Sequence, residues 1–401
     1  MKAVVIDSGT ITSAKGFLAG ATRAGLKTKG GLDLGILCSE VPCTTAGLFT
    51  VNRIKAAPVL LCQNHLADSR ARAIVVNAGC ANACTGEQGM ADAEEMAHLV
   101  AKKLGIAVED VLVASTGVIG KALPMELVAR GIERVALSRE GGHDLAQAIT
   151  TTDTFAKERA VVLKLEGKEI AIGGIAKGAG MIHPNLATLL CFLATDAALE
   201  PGFLKRALRE AVDVSFNMIT IDGDTSPNDT VLLLANGLAG NATISEGTRE
   251  AKTFIQALTE VCIYLARCIA RDGEGATKLI EVTVEGALSL DDARVAARTI
   301  AGSPLVKAAI YGNDPNWGRI IAALGRSGAE VEEAKIDLFL KNICLMERGS
   351  PHPFDRDEAS NALKDKEVPV KVRLNLGEAR ATAWGCDLTE EYVKINAEYM
   401  T

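Results

Sequence analysis

A β-hairpin predicted between residues 160 and 172 limits the choice of fold more than any other segment. Two apolar stretches, 160–165 and 169–172, flank the turn-forming triplet Glu166-Gly167-Lys168. Antiparallel neighbours joined by a tight turn interrupt the strand–helix–strand order that a doubly wound parallel sheet requires. The sequence therefore predicts an α/β (α+β) layered fold, with stacked mixed β-sheets flanked by helices.

Helices and strands alternate along the rest of the chain. Helical periodicity is found at 91–104, 124–137, 203–212, 246–272 and 291–303. Strands are predicted at 35–37, 73–76, 111–114, 230–235, 280–284 and 335–340, with one or two more within 368–384 around Gly377.

The composition excludes several classes of protein. A net charge of −7 argues against a nucleic-acid or anionic-membrane surface, which needs concentrated Lys and Arg. No uninterrupted apolar run is long enough to span a membrane, and no secretory h-region is visible, so we expect a cytoplasmic protein. The ten cysteines form no CxxC pair and mostly sit beside apolar residues, which favours small buried side chains over metal ligands.

The segment KGAGMIHPNLATLL, residues 177–190, places a single hydroxyl, Thr188, between a glycine- and proline-containing turn and an apolar run. A threonine hydroxyl needs a nearby base to act as a nucleophile, and none of the five histidines lies in a recognisable triad. If the peptide bond after Ala187 is cut, the freed amine of Thr188, with an ordinary pKa of about 7.7–8.0, becomes that base. The alternative is a threonine that begins a strand and caps a turn.

This segment resembles the self-processing segment of the ornithine acetyltransferase family, also called glutamate N-acetyltransferase, of arginine biosynthesis. The resemblance covers essentially the whole chain, in the family's order. It includes VASTGVIG (113–120), TTDT (151–154), DGDTSPND (222–229), GEGATK (273–278), GNDPNWGR (312–319) and INAEYMT (395–401).

The resemblance implies an enzyme of the N-terminal-nucleophile type that cuts itself between Ala187 and Thr188. The products would be an α chain, 1–187, and a β chain, 188–401, which stay together as α2β2 or a higher assembly. It further implies that the Thr116 hydroxyl and the Gly117 backbone N–H form an oxyanion hole. A strand-to-helix turn is the alternative role for that glycine.

The resemblance also implies a substrate pocket and a two-step reaction. Thr188 would take the acetyl group of N-acetylornithine and pass it to glutamate by a ping-pong route, with no cofactor and no metal. A lone lysine or glutamate is normally a solvated surface residue, and the choice of Thr152 over the adjacent Thr151 stays open. The implied pocket residues are Thr152, Lys177, Thr188, Glu274, Asn396 and Thr401.

Other functions remain as alternatives. Acetyl-CoA could be a second acetyl donor, which the sequence leaves open. An N-terminal-nucleophile aminopeptidase or amidase would use water as the acceptor instead of glutamate. A nucleotide-binding module at the glycines of 173–180 lacks a GxxxxGK[ST] or GxGxxG pattern. The acidic loop 222–229 lacks the spacing of a calcium loop, which favours a network of turns.

Overall fold

The computed structural model of the chain describes residues 3–183 and 189–398. The strands within these ranges are β1 (Val4–Val5), β2 (Phe17–Thr22), β3 (Leu34–Phe49), β4 (Arg70–Cys80), β5 (Val111–Val118), β6 (Lys157–Leu165), β7 (Lys168–Lys177), β8 (Leu190–Thr195), β9 (Thr230–Ala235), β10 (Leu279–Ala287), β11 (Asp337–Leu340), β12 (Ile343–Glu347), β13 (Ser350–Pro351), β14 (Glu367–Arg373) and β15 (Ala379–Cys386). The α-helices are α1 (Ala57–His65), α2 (Gly86–Leu104), α3 (Met125–Arg134), α4 (Gly142–Ala148), α5 (Pro201–Asp213), α6 (Arg249–Arg271), α7 (Leu290–Ala301), α8 (Pro304–Tyr311), α9 (Trp317–Gly325), α10 (Arg356–Ala362) and α11 (Glu390–Glu398).

The predicted hairpin is confirmed. Strands β6 and β7 pair antiparallel from Lys157↔Ala176 to Leu165↔Lys168. The two turn residues, Glu166 and Gly167, have φ values of 48° and 77°. Two consecutive positive φ values match the right-handed twist of a tight hairpin, which is why a glycine is favoured there.

Two mixed sheets form the framework. The first runs β1-β6-β7-β8-β9-β3-β4-β5, with β2 paired to β3, and its β8–β9 and β4–β5 pairs are parallel. The second runs β13-β12-β11-β14-β10-β15, with only β10–β14 parallel among its described pairs. The predicted fold class, a layered α/β structure with mixed sheets flanked by helices, is confirmed.

The first sheet folds over on itself, so that two of its faces enclose an apolar layer. Strand β3 is 16 residues long and pairs with β4 through its first part and with β9 through its last part. The register shift between Cys38 and Cys43 marks the bend that allows this. Side chains then alternate between layers: Phe192 packs in the enclosed layer, and Leu193 packs on the opposite face with α5 and α6.

Several elements were not predicted from the sequence. Only residues 35–37 of β3 were expected to be a strand, because glycine, cysteine and threonine interrupt its apolar alternation. Short helices of seven to nine residues were also missed. They are α1, α4, α8, α9, α10 and α11.

Helix α6 meets the length and hydropathy of a membrane span, although none was expected from the sequence. Its residues Phe254, Leu258 and Leu265 are fully buried, and it packs against β6, β7 and α5. This burial is typical of a core helix of the layered fold.

Seven of the ten cysteines are buried and all ten are free thiols, which confirms their predicted packing role.

The enclosed layer provides a test of the fold. Phe192→Ala should lower the free energy of unfolding by about 3–5 kcal/mol, because it leaves a cavity between two faces of the sheet. Denaturant titration measures the change. Ile54→Ala, at a side chain that is 62% exposed, should stay within about 0.5 kcal/mol of wild type. A loss below about 1 kcal/mol for Phe192→Ala would contradict the enclosed packing.

Candidate active site

A buried lysine connects two of the segments that the sequence singled out. Lys177 is the last residue of β7, and Thr116 lies near the carboxyl end of β5. The Lys177 ammonium donates hydrogen bonds to the Thr116 hydroxyl at 3.3 Å and to the Thr151 hydroxyl at 2.9 Å. Lys177 is only 5% exposed. The structure therefore brings Lys177 together with Thr116 and with the TTDT segment.

Gly117 follows Thr116 at a point where only glycine fits. Its φ is 128°, in a backbone region that residues with a side chain rarely adopt. A Cβ there would lie 2.7 Å from the Cys80 nitrogen and would also collide with the Gly79 backbone. The end of β5 therefore approaches the end of β4 very closely. This geometry suits both a tight strand end and a backbone N–H aimed at a ligand, and the oxyanion role of Thr116 and Gly117 stays a prediction.

The two adjacent threonines of TTDT differ in their contacts. Thr151 carries the hydroxyl that Lys177 contacts, and its backbone N–H donates to Asp153 Oδ2 at 3.0 Å. Thr152, which the sequence favoured as the substrate contact, is half-buried beside it. Thr151 thus positions the lysine, whereas a substrate role for Thr152 stays a prediction.

A second buried lysine, which was not predicted from the sequence, anchors this segment. The Lys157 ammonium lies 2.6 Å from Asp153 Oδ1 and 2.5 Å from Asp272 Oδ2, and the lysine side chain is fully buried. Asp153 Oδ1 also accepts the Gly178 N–H at 2.7 Å, and Asp272 accepts the Thr154 N–H at 3.0 Å. Residues 151–154, the end of β7 and the end of α6 are therefore held together by one ionic cluster.

Charges of both signs surround Lys177. Burial lowers the pKa of Lys177, and Lys157 lowers it further, while Asp153, Glu274 and Asp229 act in the opposite direction. For Asp153, burial alone would raise the pKa, but Lys157, Lys177 and the Gly178 N–H outweigh it and lower the pKa to about 2. Asp153 is therefore ionised at neutral pH and supplies a fixed negative charge beside the lysine.

Glu274 and Asn396 contact each other, as expected for two members of one site. Asn396 Nδ2 donates to Glu274 Oε2 at 2.9 Å, although 122 residues separate them in the chain. The Glu274 backbone N–H donates to the Ala179 carbonyl at 2.8 Å, and a Cβ on Gly180 would lie 2.6 Å from the Glu274 carboxylate. The carboxylate thus stands over the segment that follows Lys177, and its own chemistry suits an ammonium ligand.

Three of the predicted site residues lie outside the described residues: Ala187, Thr188 and Thr401. The predicted division into chains 1–187 and 188–401 falls at the same place and stays a prediction. His183 is described, and its Nδ1 lies 3.1 Å from the Thr220 hydroxyl. Burial lowers the pKa of His183, with a further contribution from Arg298.

The remaining histidines also have partners away from the cluster around Lys177. His65 Nδ1 lies near the Val111 carbonyl, His98 near Glu94, His143 near Glu158 and His352 near Pro353. Among the described residues, no histidine hydrogen-bonds to Thr116, Thr151 or Lys177.

The loop 222–229 forms a network of turns on both flanks of residues 184–188. Asp222 accepts the backbone N–H groups of Met181 at 2.5 Å and Ile182 at 2.9 Å. Asp229 Oδ1 accepts the Leu189 N–H at 3.0 Å. Over the described chain, no group of three His, Cys, Asp or Glu side chains is arranged to hold a metal ion. Asp222 and Asp229 of this loop therefore act as acceptors for backbone N–H groups.

The ionic cluster leads to a stability prediction. Lys157→Met should lower the free energy of unfolding by about 3–5 kcal/mol, because it leaves buried carboxylates without their cation. Lys164→Met is the matched control on the same strand. Its ion pair with Glu169 is exposed, and its loss should cost less than about 1 kcal/mol. Equal effects of the two substitutions, measured by denaturant titration, would contradict the role assigned to the cluster.

Comparison with known proteins places these features in a family. The ArgJ family model matches residues 18–401. The arginine biosynthesis bifunctional protein ArgJ of Dehalococcoides mccartyi is 54% identical over 399 residues, which are 99% of this chain and 98% of that protein. The corresponding protein of Bacillus subtilis is 47% identical over 99% of this chain and 98% of that protein.

A solved structure is also similar. The crystal structure of the arginine biosynthesis bifunctional protein argJ from Bacillus halodurans has 47% sequence identity and a TM-score of 0.50, and the match covers 51% of this chain and 96% of that chain. Family model and relatives span the segments that contain Thr116, Lys177, Glu274 and Asn396. The chain belongs to the ArgJ family.

Proposed function

We propose that this protein is a glutamate N-acetyltransferase of arginine biosynthesis, which moves the acetyl group of N2-acetyl-L-ornithine to L-glutamate. Membership of the ArgJ family along residues 18–401 supports the reaction class. The observation that carries the proposal is the buried hydrogen bond between Lys177 and Thr116. Lys177 also pairs with Leu190, at the start of the strand that follows Thr188. The hydrogen bond therefore links the proposed oxyanion hole to the strand that follows the proposed nucleophile. The family match supports this activity and not the aminopeptidase alternative.

The proposed chemistry begins with self-cleavage. The Thr188 hydroxyl attacks the Ala187 carbonyl, the peptide bond breaks, and water hydrolyses the resulting ester to release chains 1–187 and 188–401. The freed α-amine of Thr188 then serves as the base for its own hydroxyl.

Acetyl transfer follows in two steps. Thr188 Oγ attacks the acetyl carbonyl of N-acetylornithine, ornithine leaves, and glutamate takes the acetyl group from the threonine ester. Thr116 and the Gly117 N–H stabilise the negative charge that develops on the carbonyl oxygen, an effect worth about 3–4 kcal/mol per donor in comparable sites. The close approach of Gly117 to β4 favours this role because it fixes the direction of the N–H.

Substrate recognition is assigned by charge. Lys177 offers a cation to a substrate carboxylate, and the Glu274–Asn396 pair offers an acceptor to the ornithine ammonium. Thr152 and Thr401 complete the pocket. Glutamate must bind in the same place as the product ornithine, because both react at the same acetyl group.

Further features are proposed from the family. The relatives are named bifunctional, so we assign acetyl-CoA as a second acetyl donor for glutamate. Glutamate acetylation with acetyl-CoA as the only donor would demonstrate it, and its absence would restrict the enzyme to acetyl exchange. The free, mostly buried thiols suit a cytoplasmic location. We propose an assembly of α2β2 type or higher.

Self-cleavage is directly measurable. Intact mass spectrometry of the wild-type protein should show two chains that end at Ala187 and begin at Thr188. Thr188→Ala should remain one chain and lose transferase activity. Thr253→Ala, at a half-buried threonine of α6, should be cut like wild type. Two chains from Thr188→Ala would show that another residue performs the cut.

The role of Lys177 has its own test. Lys177→Met should lower kcat/KM for N-acetylornithine roughly 10- to 100-fold, mainly through KM, because a charged hydrogen bond to the carboxylate is lost. Only cleaved protein, verified by mass, is assayed. Lys168→Met lies at the exposed other end of β7 and should leave both constants unchanged. An unaltered KM in Lys177→Met would contradict carboxylate binding by this lysine.

A further inference from the structure

Asp229 is a buried carboxylate with one oxygen engaged and the other without a partner. It is 2% exposed at the start of β9. Its Oδ1 accepts the Leu189 N–H at 3.0 Å, whereas Oδ2 has no hydrogen-bond partner among the described residues. The neighbouring Thr50 hydroxyl donates its hydrogen to the Ser226 carbonyl at 2.8 Å. A buried carboxylate oxygen without a partner is costly and points to a role in chemistry.

The backbone around Asp229 is held rigidly. Its carbonyl accepts the Thr50 N–H at 2.9 Å, and the next residue, Thr230, donates its N–H to the Leu189 carbonyl at 3.0 Å. The preceding residue, Asn228, donates through Nδ2 to the carbonyls of Ala81 at 2.6 Å and Ser115 at 2.9 Å. One short segment thus touches both the strand that leads to Thr116 and the residue that follows Thr188.

The surroundings of Asp229 keep its proton available. Burial raises the pKa of this carboxyl well above its usual range, and the Leu189 N–H, Thr50 and Lys177 offset only part of that effect. A raised pKa makes an ionised carboxylate a stronger proton acceptor, which suits a group that takes a proton and then returns it.

The position of Leu189 brings this carboxylate to the cleavage point. The Leu189 nitrogen is covalently joined to residue 188, and standard bond lengths keep successive backbone nitrogens within about 4 Å of one another. The Asp229 carboxylate, 3.0 Å from the Leu189 nitrogen, therefore lies next to the peptide bond that joins residues 188 and 189.

We propose that Asp229 is the proton-transfer residue of self-cleavage. As the bond from Thr188 Oγ to the Ala187 carbonyl carbon forms, Oδ2 takes the hydroxyl proton. As the bond from that carbon to the Thr188 nitrogen breaks, the carboxyl gives the proton to the nitrogen, which becomes a primary amine. Protons balance and no co-reactant is needed until water hydrolyses the ester. This inference rests on the proposed function, because it requires the cut after Ala187.

Asp229→Asn provides the central test. The amide oxygen can still accept the Leu189 N–H, but the amide nitrogen cannot take a proton. The full-length chain should therefore accumulate, with cleavage slowed at least about 100-fold in a time course followed by intact mass. Hydroxylamine, which cuts esters, should not restore cleavage, because the ester does not form. Cleavage at the wild-type rate, or its rescue by hydroxylamine, would overturn the proposal.

Asp222→Asn is the matched control. Asp222 is a half-buried carboxylate of the same loop, and it accepts the N–H groups of Met181 and Ile182 on the other flank of residues 184–188. Its substitution should leave the cleavage rate within a few-fold of wild type. Equal slowing in both variants would mean that backbone anchoring alone is responsible, which would overturn the proposal for Asp229.

A second pair of variants covers a folding failure of Asp229→Asn. Asp229→Glu keeps a carboxyl and should cleave faster than Asp229→Gln, which has the same size, by at least about tenfold. Equal rates for the two would overturn the proposal. Wild-type protein that is active and remains uncut would instead refute the proposed function, so the two failures are distinguishable.

Discussion

The lysine ammonium buried between Asp153 and Asp272 fixes the geometry on which the candidate site depends. An ammonium in a dry interior is stable only when carboxylates and hydrogen bonds replace its water. Lys157 meets this requirement by drawing in the TTDT segment and the end of α6. Asp153 then orients the Gly178 N–H, and with it the end of β7 that carries Lys177. The position of Lys177 therefore depends on the buried ion pairs of Lys157.

A second set of contacts restrains the chain on both flanks of the predicted cleavage point. Asp222 holds residues 181 and 182, and Asp229 holds residue 189. Both carboxylates accept backbone N–H groups, so the positions of the main chain are determined on each side. Self-cleavage requires a carbonyl carbon and a hydroxyl to meet at short distance, and anchored flanks reduce the entropy that this meeting costs.

The sequence predicted well those strands and turns that are determined by a local pattern of residues. The hairpin at 160–172 and strand β9 at 230–235 follow from alternation and turn residues, and both were located to within a few residues. Strand β3 was largely missed because its bend is imposed by pairing with β4 and β9. Lys157 and Asp229 were missed for a related reason. A lysine or aspartate in the sequence resembles a surface residue until partners such as Asp272, 115 residues away, enclose it.

In the proposed substrate pocket, the charges around Lys177 suit two different substrates. Burial lowers the pKa of Lys177, and three acidic residues, Asp153, Glu274 and Asp229, offset part of that effect in favour of the cation. The same cation can attract the α-carboxylate that both N-acetylornithine and glutamate carry. The substrates differ at their other ends, where one bears an ammonium and the other a carboxylate. Glu274 favours the first of these by charge, and its partner Asn396, an amide with both donors and an acceptor, can face either group.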